Sequence, residues 1–309
     1  MTESGAQLVF SATGAWLAVG GLAGLVGAGL YGYFAALFSA VPAARRGTLL
    51  LSYAALPGLV AILVSVLLYF PALAAQVLPQ HCHGDPCVPH APEFAASAAY
   101  IASILALAFV GVWTLVLGPL RQLHRALRRS ALLRRLAAED AGGRFRVIDS
   151  DAPAAWCEGL WRPGIFVSRG LLHSISAAEL DIVLAHEQAH AERRDNLLGL
   201  VLHWMTRSWP RSARQSLRRD FTLAAELACD AQAARTAGSG GPVAAVIANL
   251  DSRRSRQAAQ RVGHLQHGEP DGGSAVARAW LSLGMLWMVQ AGSFTYLVHF
   301  CLEWLNGRI

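Results

Sequence analysis

Four stretches of this chain contain no Asp, Glu, Lys or Arg at all: Ser4 to Ala44, Gly47 to Gly84, Phe94 to Leu120 and Ala279 to Leu302. Each exceeds the roughly 20 residues an α-helix needs to cross a ~30 Å hydrocarbon core, and none comfortably holds two spans with a turn. The pattern predicts three transmembrane helices within 1–120, at about 8–38, 49–78 and 94–120, and a fourth in 276–309 followed by a short tail. The wider composition agrees, with 54% hydrophobic and only 15% charged residues, against ~25% charged in ordinary soluble domains. A soluble enzyme is excluded, and so are a disordered chain and, with five cysteines in 309 residues, a small disulfide-built fold. Glu3 is the only charge before Arg45; without the basic start and cleavage site of a removable signal peptide, the first span is expected to stay in the mature protein. It is rich in glycine, and the small-xxx-small pair Gly20 and Gly24 suits close packing inside the bundle.

The formal charge of +6 resides in one place. All 26 basic residues are arginine, and 22 of them lie between Arg121 and Ala275 against 16 Asp and Glu. Arg45 and Arg46 follow the first span, Arg121, Arg125, Arg128, Arg129, Arg134 and Arg135 follow the third, and Pro79 to Glu93 has no arginine. Because short arginine-rich loops stay on the cytoplasmic side, segment 121–275 is expected inside, with both termini and the 79–93 loop outside. Arg121 to Asp140 reads as a basic helix continuing from the third span, its arginines meeting anionic lipid headgroups of the membrane. No aromatic residues interleave with them, so direct nucleic-acid binding is not expected.

Inside that segment His186-Glu187-Gln188-Ala189-His190 forms an HExxH. Helical spacing sets His186 and His190 one turn apart on one face, where both imidazoles reach a single Zn²⁺, and Glu187 stands beside them as the base that takes a proton from an attacking water. Ser176-Ala177-Ala178-Glu179 has the form of a capping box that opens this helix. A hydrolytic zinc takes three protein ligands, and Glu226, with Asp230 one turn further along an apolar helix from about Phe221 to Ala234, supplies the third; Asp230 can accept from the outer nitrogen of a ligand histidine. Cys229 is a rival ligand. The competing account makes Glu226 and Asp230 plain ion-pair partners of Arg218, Arg219 or Arg235.

Gly159-Leu160-Trp161-Arg162-Pro163, Ile165 through Leu172, Glu179-Leu180, His186 to Asn196 (HEQAHAERRDN) and Glu226 to Asp230 together resemble the membrane gluzincin metallopeptidases of the BlaR/MecR antirepressor type. Arg193-Arg194-Asp195 and the Glu226/Cys229-Asp230 element are more specific than HExxH, and three spans, a zinc domain and a fourth span match that family's arrangement. The resemblance implies zinc on His186, His190 and Glu226 and Glu187 as catalytic base; one Zn²⁺ per chain is expected, with Asp230 and Asp195 as the carboxylates behind the ligands. No S-x-x-K serine motif follows the fourth span, so the expectation is a short form without the penicillin-binding sensor domain. The fold class expected is mainly α: a four-helix polytopic protein of the bacterial cytoplasmic (inner) membrane, with a cytoplasmic α+β zincin domain over 121–275. The function expected is zinc-dependent endoproteolysis of a cytoplasmic protein, a transcriptional repressor or anti-signalling factor, in transmembrane signalling. The alternatives are a membrane quality-control or prenyl-protein zinc protease, and a non-catalytic metal or ligand sensor.

Several smaller readings accompany this one. His81, Cys82, His83, Cys87 and His90 crowd the outer loop, as a Cys82–Cys87 disulfide or as a site for copper or zinc. Gly164 to Ser168, a β-branched run, is expected to be an edge strand on which an extended substrate pairs. His173 and His203 are candidate oxyanion stabilisers. Asn196 to Thr206 reads as an apolar continuation of the zinc helix lying against the membrane. Gly238 to Pro242 and Glu269 to Ser274 read as flexible breaks.

Overall fold

The computed structural model describes residues 5–70, 72–73, 98–139, 142–250, 256–268 and 272–305, which are mainly helical. Helices α1 (Gly5–Ser39) and α2 (Ala43–Tyr69) form a hairpin. A Cβ on Gly20 would lie 3.5 Å from Ala61, and the Tyr53 hydroxyl donates to the Gly27 carbonyl at 2.6 Å. Gly24 faces Trp209 at 3.4 Å, so both small residues admit neighbours from within the chain. Helix α2 is shifted from the expected 49–78. It ends at Tyr69 because Phe70, ahead of Pro71, leaves the helical region with φ −119° and ψ 76°.

Helix α3 (Ala98–Gly111), a π-helical stretch over Val112–Leu117 and α4 (Gly118–Leu136) run on without a break. The third apolar run and the basic helix are thus one rod. The last long helix, α11, spans Gly273–Leu305. Gly14–Ser39, Ala43–Tyr69 and Gly273–Cys301 are each long and apolar enough to cross a membrane. The loop with His81, Cys82, His83, Cys87 and His90 lies outside the described residues.

Between α4 and the metal-site helices lies a small sheet of β1 (Ala138–Glu139), β2 (Arg146–Ile148), β3 (Ala155–Glu158) and β4 (Gly164–Ser168) in the order β1-β2-β4-β3. β4 runs parallel to β2 and antiparallel to β3. The expectation that Gly164–Ser168 is an edge strand is therefore wrong. Its apolar run is interior, with Phe166 and Val167 fully buried, and a strand paired on both sides has no main-chain groups left for a substrate. The edges of the sheet are β1 and β3, and of these β3 is the longer.

The remaining helices are α5 (Arg169–Ser174), α6 (Ala177–Arg193), α7 (Asp195–Met205), α8 (Arg211–Thr236), α9 (Gly240–Leu250) and α10 (Arg256–His267). The break expected over Gly238 to Pro242 is short: Gly238 turns with φ +78° and α9 begins at Gly240. Val167, Leu171, Val183, Leu184 and Val246 join sheet, α6 and α9 in one cluster. A larger cluster takes in the membrane-type helices and the metal-site helices together, through Leu202 of α7, Trp209, and Leu217, Phe221 and Ala224 of α8. Tyr53 packs there against Tyr31, Phe34, Phe38 and Trp209 with ring centroids 4.9 to 5.9 Å apart, and Tyr31 donates to Asp220 of α8 at 2.5 Å. Aromatic pairs contribute about 0.5–1.5 kcal/mol each beyond their buried area. The apolar hairpin is in this way part of the scaffold that holds α8.

Candidate metal centre

Helix α6 starts as its sequence demands. Ser176 accepts from the Glu179 N–H at 3.3 Å, and the Glu179 carboxylate accepts from the Ser176 N–H at 2.9 Å, closing the capping box. That end is set four residues before Leu180, so Val183, Leu184 and Ala189 face the core while His186, Glu187 and His190 face a cleft. The helix does not continue into 196–206, contrary to expectation. Arg194 adopts φ 55° and ψ 41°, a left-handed conformation that costs a residue with a Cβ about 1 kcal/mol. The turn has a use, because it swings Asp195 back so that its carboxylate lies 2.8 Å from His190 Nδ1.

Helix α8 is longer than expected and brings Glu226 and Asp230 against α6. Asp230, fully buried, lies 2.9 Å from His186 Nδ1. With both Nδ1 atoms engaged, both Nε2 atoms turn to a common point: they are 3.2 Å apart, and Glu226 places its oxygens 3.5 Å from His186 Nε2 and 3.6 Å from His190 Nε2. Ligand atoms about 2.0–2.2 Å from a tetrahedral zinc stand roughly 3.3–3.6 Å from one another. The donor triangle has that size, and His186, His190 and Glu226 could hold a metal ion.

Charge leads to the same metal class. Glu187, Asp195, Glu226 and Asp230 surround the point, and among the described residues the cations in direct contact with them are Arg193, 3.3 Å from Asp195, and Arg261, 3.0 Å from Glu226 and 2.6 Å from Asp230. Four carboxylates against two guanidiniums leave an excess that a divalent cation balances. Burial works against the charge on Asp230, yet Arg261 and His186 hold its carboxyl below the usual range. Asp195 is likewise lowered, burial being outweighed by His190 and Arg193. Arg261, not Arg218, Arg219 or Arg235, is the partner of the Glu226/Asp230 pair. It lies 31 residues beyond Asp230 on a separate helix, with no local spacing signal to reveal it.

Glu187 stands differently. Burial pushes its pKa up, while His186, His190 and the Cys157 N–H that it accepts pull it back. The cleft, about 690 Å³, is lined on one side by Ala155, Trp156 and Cys157 of the edge strand and on another by Val243, Val246, Ile247 and Leu250 of α9. The rival ligand Cys229 is buried, its thiol 3.7 Å from Asp195 and pushed up by burial; with His190 and Asp195 it forms a second group of donors that could hold a metal ion. His173 and His203 are not among the residues lining the cleft. His173 lies exposed on α5, and His203 pairs with Gln122 at 3.2 Å and Arg218 at 3.3 Å.

No curated protein and no solved structure matches the chain. Residues 119–271 match peptidase family M48, a segment just under half the chain that contains every residue of the centre. Together with a donor set sized and charged for a divalent ion, the match supports a zinc metallopeptidase of family M48.

Proposed function

We propose that this protein is a four-span zinc endopeptidase that cleaves a protein substrate at the cytoplasmic face of the membrane. The observation that carries the reading is the convergence of His186 Nε2, His190 Nε2 and the Glu226 carboxylate beside Glu187, in a cleft with a free strand edge. Three protein donors leave a coordination position open, which favours hydrolysis over a closed structural or sensory site. Zinc bound there supplies a Lewis acid that activates water and polarises the scissile carbonyl. Glu187 accepts the proton of the attacking water and passes it to the leaving amine, and its raised pKa suits a group that must hold that proton between the two events. Asp230 and Asp195 fix the tautomers of the two imidazoles.

The substrate pairs on β3. Ala154 and Trp156 turn their main chain toward β4, so Ala155 and Cys157 face the cleft. Cys157 is already engaged, its N–H with Glu187 and its carbonyl with Asn196 Nδ2 at 2.9 Å. The Ala155 main chain is what an extended peptide would meet.

The arginines support the topology. The start of α2, with Arg45 and Arg46, lies at the metal-centre end of the hairpin, where a Cβ on Gly47 would stand 3.6 Å from the Arg193 guanidinium. By the positive-inside rule arginines at that end favour the cytoplasmic side, which supports a centre inside. The antirepressor-type resemblance points to a repressor or anti-signalling factor as substrate. A second reading, a membrane quality-control or prenyl-protein peptidase, draws on the apolar wall of Val243, Val246, Ile247 and Leu250, which fits a large apolar group.

Replacing Glu187 by Ala tests the core of the proposal. Zinc is expected to stay at one per chain while cleavage falls by at least ~100-fold; undiminished cleavage sinks the assignment. Comparing proteomes of cells carrying native chain and Glu187→Ala, intact repressor accumulating in the variant supports the first reading, and broad accumulation of membrane proteins the second.

A further inference from the structure

Arg261 is a charged group of the cleft to which the proposed mechanism gives no part. Its Nε and Nη2 donate to the two Asp230 oxygens at 2.7 and 2.6 Å, a bidentate fork, and its Nη1 reaches Glu226 Oε2 at 3.0 Å. The side chain is 20% exposed and Asp230 not at all. Helix α10 is anchored through Ala258, Val262 and Leu265 against Ala233, Val243 and Ile247 of α8 and α9, so the guanidinium is delivered from a fixed backbone.

The fork to Asp230 alone would make a structural ion pair. The third contact carries more, because of what it does to Glu226. The two Glu226 oxygens are almost equivalent with respect to the histidines, Oε2 at 3.5 Å from His186 Nε2 and Oε1 at 3.6 Å from His190 Nε2. A carboxylate so placed can give a metal one oxygen or both, and giving both would add a fifth ligand beside the position that a hydrolytic water needs and crowd it. A guanidinium hydrogen bond on Oε2 removes the equivalence.

We propose that Arg261 is a positioning residue that claims Oε2 of Glu226 and leaves Oε1 as a single donor, keeping the centre at three protein ligand atoms. The proposal rests on the zinc-peptidase reading of the site. Only arginine has the geometry for it: three nitrogens in one plane serve two carboxylates, whereas a lysine ammonium is a point charge that the buried Asp230 would retain.

The test uses the full chain, purified in detergent and loaded with zinc, with Arg261→Met and Arg261→Lys beside it. The measurements are zinc per chain, the coordination number from zinc X-ray absorption, and kcat on casein. The native chain is expected to show one zinc with about four light-atom ligands, and both variants one zinc with about five. Their kcat should drop about 10–100-fold, as for other supports behind metal ligands. If Arg261→Met fails to fold, Arg261→Lys, which keeps charge and bulk, decides alone. A four-ligand centre in a folded variant overturns the role of Arg261, and so does loss of zinc from folded Arg261→Lys, which would make Arg261 a requirement for ligation instead. A native chain that binds no zinc overturns the peptidase reading, a distinct result.

Discussion

The two imidazoles of the centre are aimed by the same device, a carboxylate on Nδ1, built in two different ways. His190 is served locally: Asp195 is five residues on, placed by the left-handed Arg194, and Arg193 beside it supplies the cation at 3.3 Å. His186 is served from a distance, by Asp230 on α8 and Arg261 on α10, with Asp230 wholly buried and bonded to both. The local half depends on one helix end, whereas the distant half exists only once three helices have packed. The difference predicts that the two halves fail differently.

Asp230→Ala should have the largest effect on stability. It leaves the Arg261 guanidinium buried beside Glu226 with two of its three contacts gone, and breaking a buried pair from one side costs about 3–5 kcal/mol. Asp195→Ala should lower zinc affinity about 10–100-fold but cost less stability, since its partners Arg193 and His190 lie at one helix end and the Arg193 side chain is 26% exposed. Thermal unfolding of the two metal-stripped variants checks this. Equal losses would show that the halves are not mechanically distinct.

The same contrast explains what could be read in the chain itself. HExxH, the capping box and the Glu226/Asp230 pair carry helical spacing, so their geometry follows from residues within two turns of each other. Arg261 carries none, because its partners are chosen by how α10 folds back over α8. Gly164–Ser168 was legible as a strand from its β-branched and aromatic residues, but whether a strand is edge or interior depends on its neighbours, and β2 and β3 are too short to announce themselves. Arg194 misled for another reason: arginine favours helices, and only the tertiary demand that Asp195 reach His190 explains a left-handed residue there.

A proton count sharpens the comparison. In protein stripped of metal by a chelator, burial disfavours charge on His186, but Asp230 and Glu226 outweigh it and raise its pKa from 6.5 to about 9. A raised folded pKa means that the charged imidazole adds stability fully below about pH 6.5, and that this share is lost as pH rises through about 9. The stripped protein should therefore weaken over that window. Zinc, which needs the neutral ring, should displace about one proton from His186 on binding at pH 7. Calorimetry in buffers of different ionisation enthalpy counts it, and no proton release at pH 7 would contradict the distant half as drawn.

The smallest effect concerns the local half, at Arg194. Glycine adopts the left-handed conformation without the Cβ penalty, so Arg194→Gly relieves about 1 kcal/mol of strain. The gain is partly offset, because glycine loses more backbone entropy on folding, and the net change should be within about 1 kcal/mol on the stabilising side. Zinc affinity should not move, since the Asp195 carboxylate keeps its reach to His190. Arg194→Pro is the opposite case: proline fixes φ near −65°, which turns Asp195 away from the imidazole. Weaker zinc binding in Arg194→Pro with unchanged binding in Arg194→Gly would show that it is the backbone turn, and not the arginine side chain, that builds the local half.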